Sequence, residues 1–246
     1  QTAGRLIERC AVTARWENGS ELRVLGRGLD PAGRTLSDAQ LDAAIQPGLP
    51  VLAQWPLTFQ SATARATVSG AWPNLQHRGT VTVSGGSVHG LKTFELTGRW
   101  EGDHAERIAS SLMLTTDGGE AALGGTIDDL STLTLTALSL RAFDEPPLVL
   151  REPVRLQILD PAPLPGPQWG VQTSPLGLAN GQRQIALEGL IEWPARVQAT
   201  LAVTNLNTRF LDAFLARPLP TASLESLVVE VSGGRGPAML TVAANG

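Results

Sequence analysis

The residues that most often hold metals or act as nucleophiles are few and widely spaced in this chain. His77, His89 and His104 are separated by 12 and 15 residues, and no cysteine or second histidine stands at the spacing of a ligand pair. Cys10 is the only cysteine, so no disulfide can form within the chain, and only Arg9 beside it could activate the thiol. We therefore interpret Cys10 as a small apolar side chain and expect neither a metal nor a cofactor.

The acidic residues give no better case for catalysis. The cluster from Asp117 to Glu120 and the pair Asp128-Asp129 lie where turns are expected, which is typical of solvated loop charges. Glu101 and Asp103 would share the polar face of one strand. The chain has no glycine-rich phosphate loop before a helix and no nucleophile elbow. We therefore predict that it is not an enzyme.

Composition narrows the remaining classes of protein. Apolar residues make up 42% and charged residues 17% of the 246 residues, which indicates a globular chain. The formal charge of −4 is scattered, so no basic surface is predicted for nucleic acid, and no run approaches the roughly 18 apolar residues of a membrane helix. The start at Gln1 and the strand-like closing sequence 241–246 predict a fragment of a longer chain.

Alternation of apolar and polar residues is the main structural signal. It is clear at 51–59, 94–101 and 197–204, and it recurs at 12–16, 64–72, 80–83, 133–140, 154–158, 185–193 and 227–231. Residue pairs typical of tight turns lie between such segments: Asn18-Gly19, Gly85-Gly86, Asp117-Gly118, Asn180-Gly181 and Gly233-Gly234. The pattern predicts a mostly β chain, an antiparallel meander of roughly a dozen strands.

Two short helices are predicted within this meander. Ser37 and Gln40 match a capping box at the start of 37–45, which Pro47-Gly48 would end. The segment 208–216 places four apolar residues on one face, Phe210, Leu211, Phe214 and Leu215. We interpret each helix as a flap that seals an open end or corner of the sheet.

A proline-rich stretch and a loosely repeated sequence pattern bear on the domain organisation. The segments 66–72, 94–100 and 185–191 share a frame with a central glycine, Gly70, Gly98 or Gly189, predicted to allow a bend or bulge. The stretch Pro161–Pro167 is the one candidate linker. We expect one continuous segment over 1–246, with a subdivision near 160–168 as the alternative.

Each alternating segment would give the sheet one apolar face that must be covered. The positions that alternation assigns to this face include Phe94, Leu96, Leu135, Leu156, Leu187, Leu201 and Val229. A second sheet would close the structure into a β-sandwich, whereas an elongated sheet curled into an open groove would be filled by lipid chains. Alternation predicts both arrangements equally, so both stay open here.

Two segments resemble a known superfamily. The strand–turn–strand sequence 80–91 followed by 94–98, and the strand that leads into a short helix at 197–215, resemble the AsmA-like superfamily of envelope lipid-transfer proteins, of the TamB and YdbH type. The resemblance implies a β-taco-like hydrophobic groove without catalytic residues. It also implies a periplasmic protein, anchored to the inner membrane by parts outside this fragment, that shields phospholipid acyl chains during transport between inner and outer membranes.

The resemblance further implies phospholipid as the partner and an outer-membrane protein as a second candidate partner in outer membrane biogenesis. Two hypotheses compete with it. One is a non-catalytic β-sandwich that serves as an adhesion or carbohydrate-binding module. The other is an accessory domain of an envelope enzyme.

Overall fold

The computed structural model describes residues 6–48, 57–128, 131–159, 169–193, 196–234 and 239–245. The chain divides into two compact units, unit 1 (Gln1–Asp117) and unit 2 (Gly118–Gly246), and each is described by itself. Antiparallel strands dominate both units and follow one another as a meander, and the described residues contain a single short helix. The prediction of a mostly β antiparallel meander is therefore confirmed.

Unit 1 is built from strands that pair in nearly the order of the chain. Its strands are β1 (Ile7–Arg15), β2 (Glu21–Asp30), β3 (Thr35–Ile45), β4 (Leu57–Thr58), β5 (Ser61–Ala71), β6 (Asn74–Val88), β7 (Phe94–His104) and β8 (Arg107–Thr116). Each strand pairs with the next, except that the short β4 pairs with β6 while β3 pairs directly with β5. Tight connections keep sequence neighbours adjacent, as antiparallel meanders require.

Unit 2 continues the same construction with one helix. Its elements are β9 (Gly119–Asp128), β10 (Thr132–Ala142), β11 (Leu148–Leu150), β12 (Val154–Leu159), β13 (Trp169–Asn180), β14 (Arg183–Trp193), β15 (Arg196–Asn207), α1 (Thr208–Asp212), β16 (Ser223–Gly234) and β17 (Met239–Asn245). β10 pairs with β9 on one side and with both β11 and β12 on the other, and these two pair with β13. From β13 to β17 each strand pairs with its successor.

The helix predicted at 37–45 is wrong, because this segment forms β3. Ala39, Leu41, Ala43 and Ile45 also alternate with period two, and β3 pairs with β2 on one side and β5 on the other. The two ladders satisfy backbone groups that a short helix would leave free at its ends. The side chain of Gln40, predicted to cap a helix, instead donates to Asp42 Oδ2 at 2.8 Å.

The second predicted helix is confirmed and is shorter than expected. α1 covers Thr208–Asp212, and the N–H groups of Phe214 and Leu215 donate to the Leu211 carbonyl in the turn that follows. Asn207 caps its start, with Oδ1 accepting a hydrogen bond from the Arg209 N–H at 2.9 Å.

Some of the glycine predictions hold and others do not. Asn18-Gly19 and Asn180-Gly181 connect consecutive strands, whereas Gly85-Gly86 lies inside β6 at a register irregularity, so the predicted turn there is wrong. Gly70 lies beside another irregularity, in which β3 holds the extra residue, and it has a φ of +114°. Gly98 stands in regular ladders on both sides, so the bend predicted there is absent. Gly189 pairs regularly with β15 but lies beside a register irregularity between β13 and β14.

Three remaining predictions fall wholly or partly on residues that are not described. The alternating segment 51–59 is represented by β4 alone, since 51–56 lie outside the described residues. The stretch 161–167 also lies outside them, but β12 and β13 on either side of it pair with each other within unit 2. Gly233-Gly234 end β16, and the connection to β17 is not described. One continuous groove over 1–246 stays a prediction.

Candidate functional site: the apolar sheet faces

In unit 2 the strand register collects apolar side chains into rows on one face of the sheet. Residues directly opposite each other on paired strands share a face. One row therefore crosses β13 to β17 through Leu176, Leu187, Leu201, Val229 and Val242. The rows on either side of it run through Leu178, Ile185, Val203 and Leu227, and through Thr173, Gly189, Ala199 and Val231.

The same face extends over β9 to β12. Leu156 pairs with Thr173 on one side and Leu133 on the other, and Leu135 pairs with Gly125 and Val154. The opposite face is largely polar, with cross-strand neighbours that include Gln184, Glu188, Thr200, Thr204, Ser226, Glu230 and Thr241. The sheet of unit 2 is thus two-faced, as alternation predicts.

The structure brings together five of the seven candidate lining residues. Leu135, Leu156, Leu187, Leu201 and Val229 lie on this one face, and the last three stand side by side in one row. Their environments differ, since Leu135 is 2% exposed and Leu187 is 39% exposed. Leu135 is therefore a core residue, whereas Leu187 is available to a ligand. Leu176 and Val242 complete the row, and sequence analysis did not single them out.

Helix α1 covers one end of the apolar face of unit 2. Phe210 is 1% exposed and packs in a cluster of buried side chains from four strands and the residue that follows the helix: Ala142, Leu148, Leu178, Val203, Leu206 and Ala213. Arg209 Cζ lies 5.6 Å from the centre of the Phe143 ring, which follows β10. The flap predicted at this helix is therefore present, and it covers the ends of β10, β13 and β15 and the start of β11.

Helix α1, which forms a cap over this end of the apolar face, is held by hydrogen bonds at both of its ends. Thr208 Oγ1 donates to the Pro220 carbonyl at 2.8 Å and accepts from the Ala222 N–H at 2.9 Å. Asp212 Oδ1 accepts from the Leu219 N–H at 2.8 Å. These bonds fasten the helix to the segment that returns to β16, so the cap is fixed on both sides.

Unit 1 has its own apolar face. One row runs through Val12, Val24, Leu41, Ala66, Gly79 and Trp100, and its neighbour through Ala14, Leu22, Ala43, Ala64, Val81, Gly98 and Leu112. The candidates Phe94 and Leu96 lie on this face near one of its ends, where Leu96 pairs with Val83 and Leu114. The opposite face is polar and charged, with Arg23, Asp42, Arg65 and Arg99 in one row and an Arg65–Asp42 ion pair at 3.5 Å.

This face of unit 1 is only half-buried. Among residues 6–48 and 57–117, the buried apolar side chains are Ala62, Val83 and Phe94, and these ranges contain no helix. Large side chains lie over glycines of the neighbouring strand, with Trp100 over Gly79, Phe94 over Gly86 and the His77 ring over Gly102. Large side chains of this face thus cover the sheet's own backbone at these glycines. The sequence alone did not reveal this role for glycine.

The histidines lie near turns. His77 Nε2 lies 3.2 Å from the His104 carbonyl oxygen, and His104 Nδ1 accepts from the Glu106 N–H at 3.3 Å, so both support the connection between β7 and β8. His89 is exposed in the turn after β6. Among the described residues there is no group of three His, Cys, Asp or Glu side chains that could hold a metal ion. No helix in the described part of the chain is long and apolar enough to cross a membrane.

No known protein family, curated protein or solved structure matches this chain. The resemblance to the AsmA-like superfamily therefore stays a prediction.

Proposed function

We propose that the apolar faces of the two units shield phospholipid acyl chains from water. On this proposal the chain is a segment of a periplasmic, bridge-like protein that carries phospholipid between the inner and outer membranes. The observation that carries it is Leu187, which is 39% exposed on an interior strand of unit 2. β13 and β15 flank it on both sides, so its exposure does not come from an edge position.

The chemistry of the faces supports an apolar ligand. Leu187, Leu201 and Val229 are neighbours in one row; Leu187 is exposed and the other two are half-buried, so the row presents apolar surface to a ligand. Burying one methylene group is worth about 0.8 kcal/mol, so an acyl chain that lies along several such residues gains several kcal/mol. The face offers few polar partners, which favours the chain of a lipid over its headgroup.

The envelope setting forms the second part of the proposal. Inner-membrane anchoring outside this fragment, and an outer-membrane partner protein, are supported by the resemblance of 80–98 and 197–215 to AsmA-like proteins. The two-faced sheets agree with that setting, because a polar outer face suits an aqueous compartment while the apolar face is occupied by lipid.

Aspartate substitutions on the two faces of the sheet test the acyl-chain part. In Leu187→Asp and Leu96→Asp, a carboxylate enters an apolar face and should repel lipid chains. The matched controls are Ala186→Asp and Thr97→Asp, which place the same charge on the polar faces of the same strands. Bound phospholipid would be measured by native mass spectrometry after gentle purification, and folding by the melting temperature.

We expect the parent and both controls to retain phospholipid. Leu187→Asp should lose most of it while melting close to its control, because the carboxylate at this exposed position can reach water. Absence of phospholipid from the parent, or equal lipid content in Leu187→Asp and Ala186→Asp, would contradict the proposal. Collapse of both apolar-face variants, together with a lipid-free parent, would favour the closed sandwich.

A further inference from the structure

We infer that α1 is a fixed stop for the acyl chain in unit 2 and that Phe210 determines how long a chain this face accepts. The inference rests on the proposed function and adds to it a determinant of ligand specificity. It begins from the change in exposure along β14, where Ile185 packs against the buried cluster and Leu187, two residues on, is exposed.

The boundary lies between Ile185 and Leu187 on β14. Val203, beneath the cap, is 7% exposed, whereas Leu187, two residues beyond Ile185 on the same face, is 39% exposed. Residues two apart on a strand are separated by about 6.6 Å, so the covered and open parts meet within one such step. A chain that lies over Leu187 and extends along the strands toward the cap therefore meets it directly.

Phe210 occupies the place into which such a chain would extend. Its ring is fully buried against Leu206 and Ala213, and Leu201 and Ile185 of the bordering rows pack against the same cluster. Because the hydrophobic cluster is entirely apolar, it would meet the methyl end of the chain rather than the headgroup. Truncating the ring would leave an apolar cavity, the kind of space that apolar ligands fill.

The cap is built to stay in place. Asn207 caps the first turn, Thr208 bonds to Pro220 and Ala222, and Asp212 bonds to the Leu219 N–H. These contacts are made by residues other than Phe210. Shortening Phe210 should therefore deepen the site without releasing the helix.

The test uses lysophosphatidylcholines that differ only in the length of one saturated chain, each kept below its critical micelle concentration. For the parent, affinity should rise about fourfold with each added methylene and then level off once the chain reaches the stop. In Phe210→Ala the levelling-off should move to longer chains. Phe210→Leu should move it less, and this variant serves if the alanine variant does not fold.

The control is Val228→Ala in unit 2, which removes apolar volume from the opposite face of the sheet without touching the cap. Its affinity should level off at the parent's chain length. An unchanged length dependence in both Phe210 variants, with lipid still bound, would overturn the stop and leave the proposed function standing. Failure of the parent to bind any member of the series would overturn both.

Discussion

The carboxylate of Glu95 fastens the irregularity in β6 to the neighbouring strand. Its Oε1 accepts a hydrogen bond from the Gly85 N–H at 3.0 Å, and Gly85 has the positive φ of +63° that this irregularity requires. The Gly85 N–H, and to a lesser extent the Ser84 side chain, hold the pKa of the Glu95 carboxyl below its ordinary value of 4.5. The ionised side chain therefore stabilises the fold.

The pH dependence of this contact has a definite sign. Because the pKa of Glu95 is lower in the folded chain than in the unfolded chain, its contribution is fully present above pH 4.5 and is lost as the pH falls through the folded value. We expect Glu95→Gln to melt below the parent near neutral pH. The difference in melting temperature should shrink as the pH is lowered below 4.5, and a difference that is constant across this range would contradict the assignment.

At the scale of elements, contact between neighbouring strands depends on glycines beneath large side chains. A Cβ at Gly79 would overlap the Trp100 ring and lie 2.6 Å from the Arg65 carbonyl oxygen. We expect Gly79→Ala to lower the free energy of unfolding by about 1–3 kcal/mol, because this close contact cannot relax without moving the ring or the backbone. Urea denaturation measures the loss, and a red shift in tryptophan emission would report displacement of Trp100.

Gly177→Ala is the matched control for this prediction. Gly177 also lies within a strand, and the nearest atom to its added Cβ would be Arg151 Cδ at 3.7 Å, an ordinary contact. This substitution should change stability far less than Gly79→Ala does. Equal effects of the two substitutions would mean that the loss comes from the strand backbone and not from the Trp100 contact.

The same scale shows which parts of the fold were predictable from the sequence. Alternation predicted most strands, and with them the shared face of Leu187, Leu201 and Val229, because strand periodicity alone determines on which face of the sheet each side chain lies. It failed at β3, where Leu41, Ala44 and Ile45 suit a helix and Ala39, Leu41 and Ala43 suit a strand equally well. Pairing with β2 and β5 decided the outcome, and such long-range pairing has no local signal in the sequence.

The candidate site was predictable in part for a related reason. Periodicity assigned Leu135 and Leu187 alike to the apolar face, but only tertiary packing buries the first and exposes the second. The cover over the ends of β10 and β13 comes from Phe210, far away in the sequence. The extent of the cap along the face could therefore not be read from alternation, although the helix itself could.

At the scale of the whole molecule, ligand binding should appear as added stability. A ligand that binds only the folded chain stabilises it by about 2.7 kcal/mol when its free concentration is a hundred times Kd. We therefore expect the melting temperature of the parent to rise with added lysophosphatidylcholine. Leu187→Asp should show a much smaller rise, and Ala186→Asp should show the same rise as the parent. A melting temperature that does not change with added lipid in any of the three proteins would contradict binding.

The uninterrupted register of β14, β15 and β16 has a consequence for how the length of this chain can change in evolution. These three strands pair without a single irregularity along their shared length. Deleting one residue from the middle of β15 would turn every side chain on one side of the deletion to the opposite face, and would bring Thr200 or Gln198 among the leucines. Natural selection should therefore remove single-residue deletions within these strands and tolerate them in the turns. Growth by whole hairpins adds strands in pairs and leaves the existing faces unchanged.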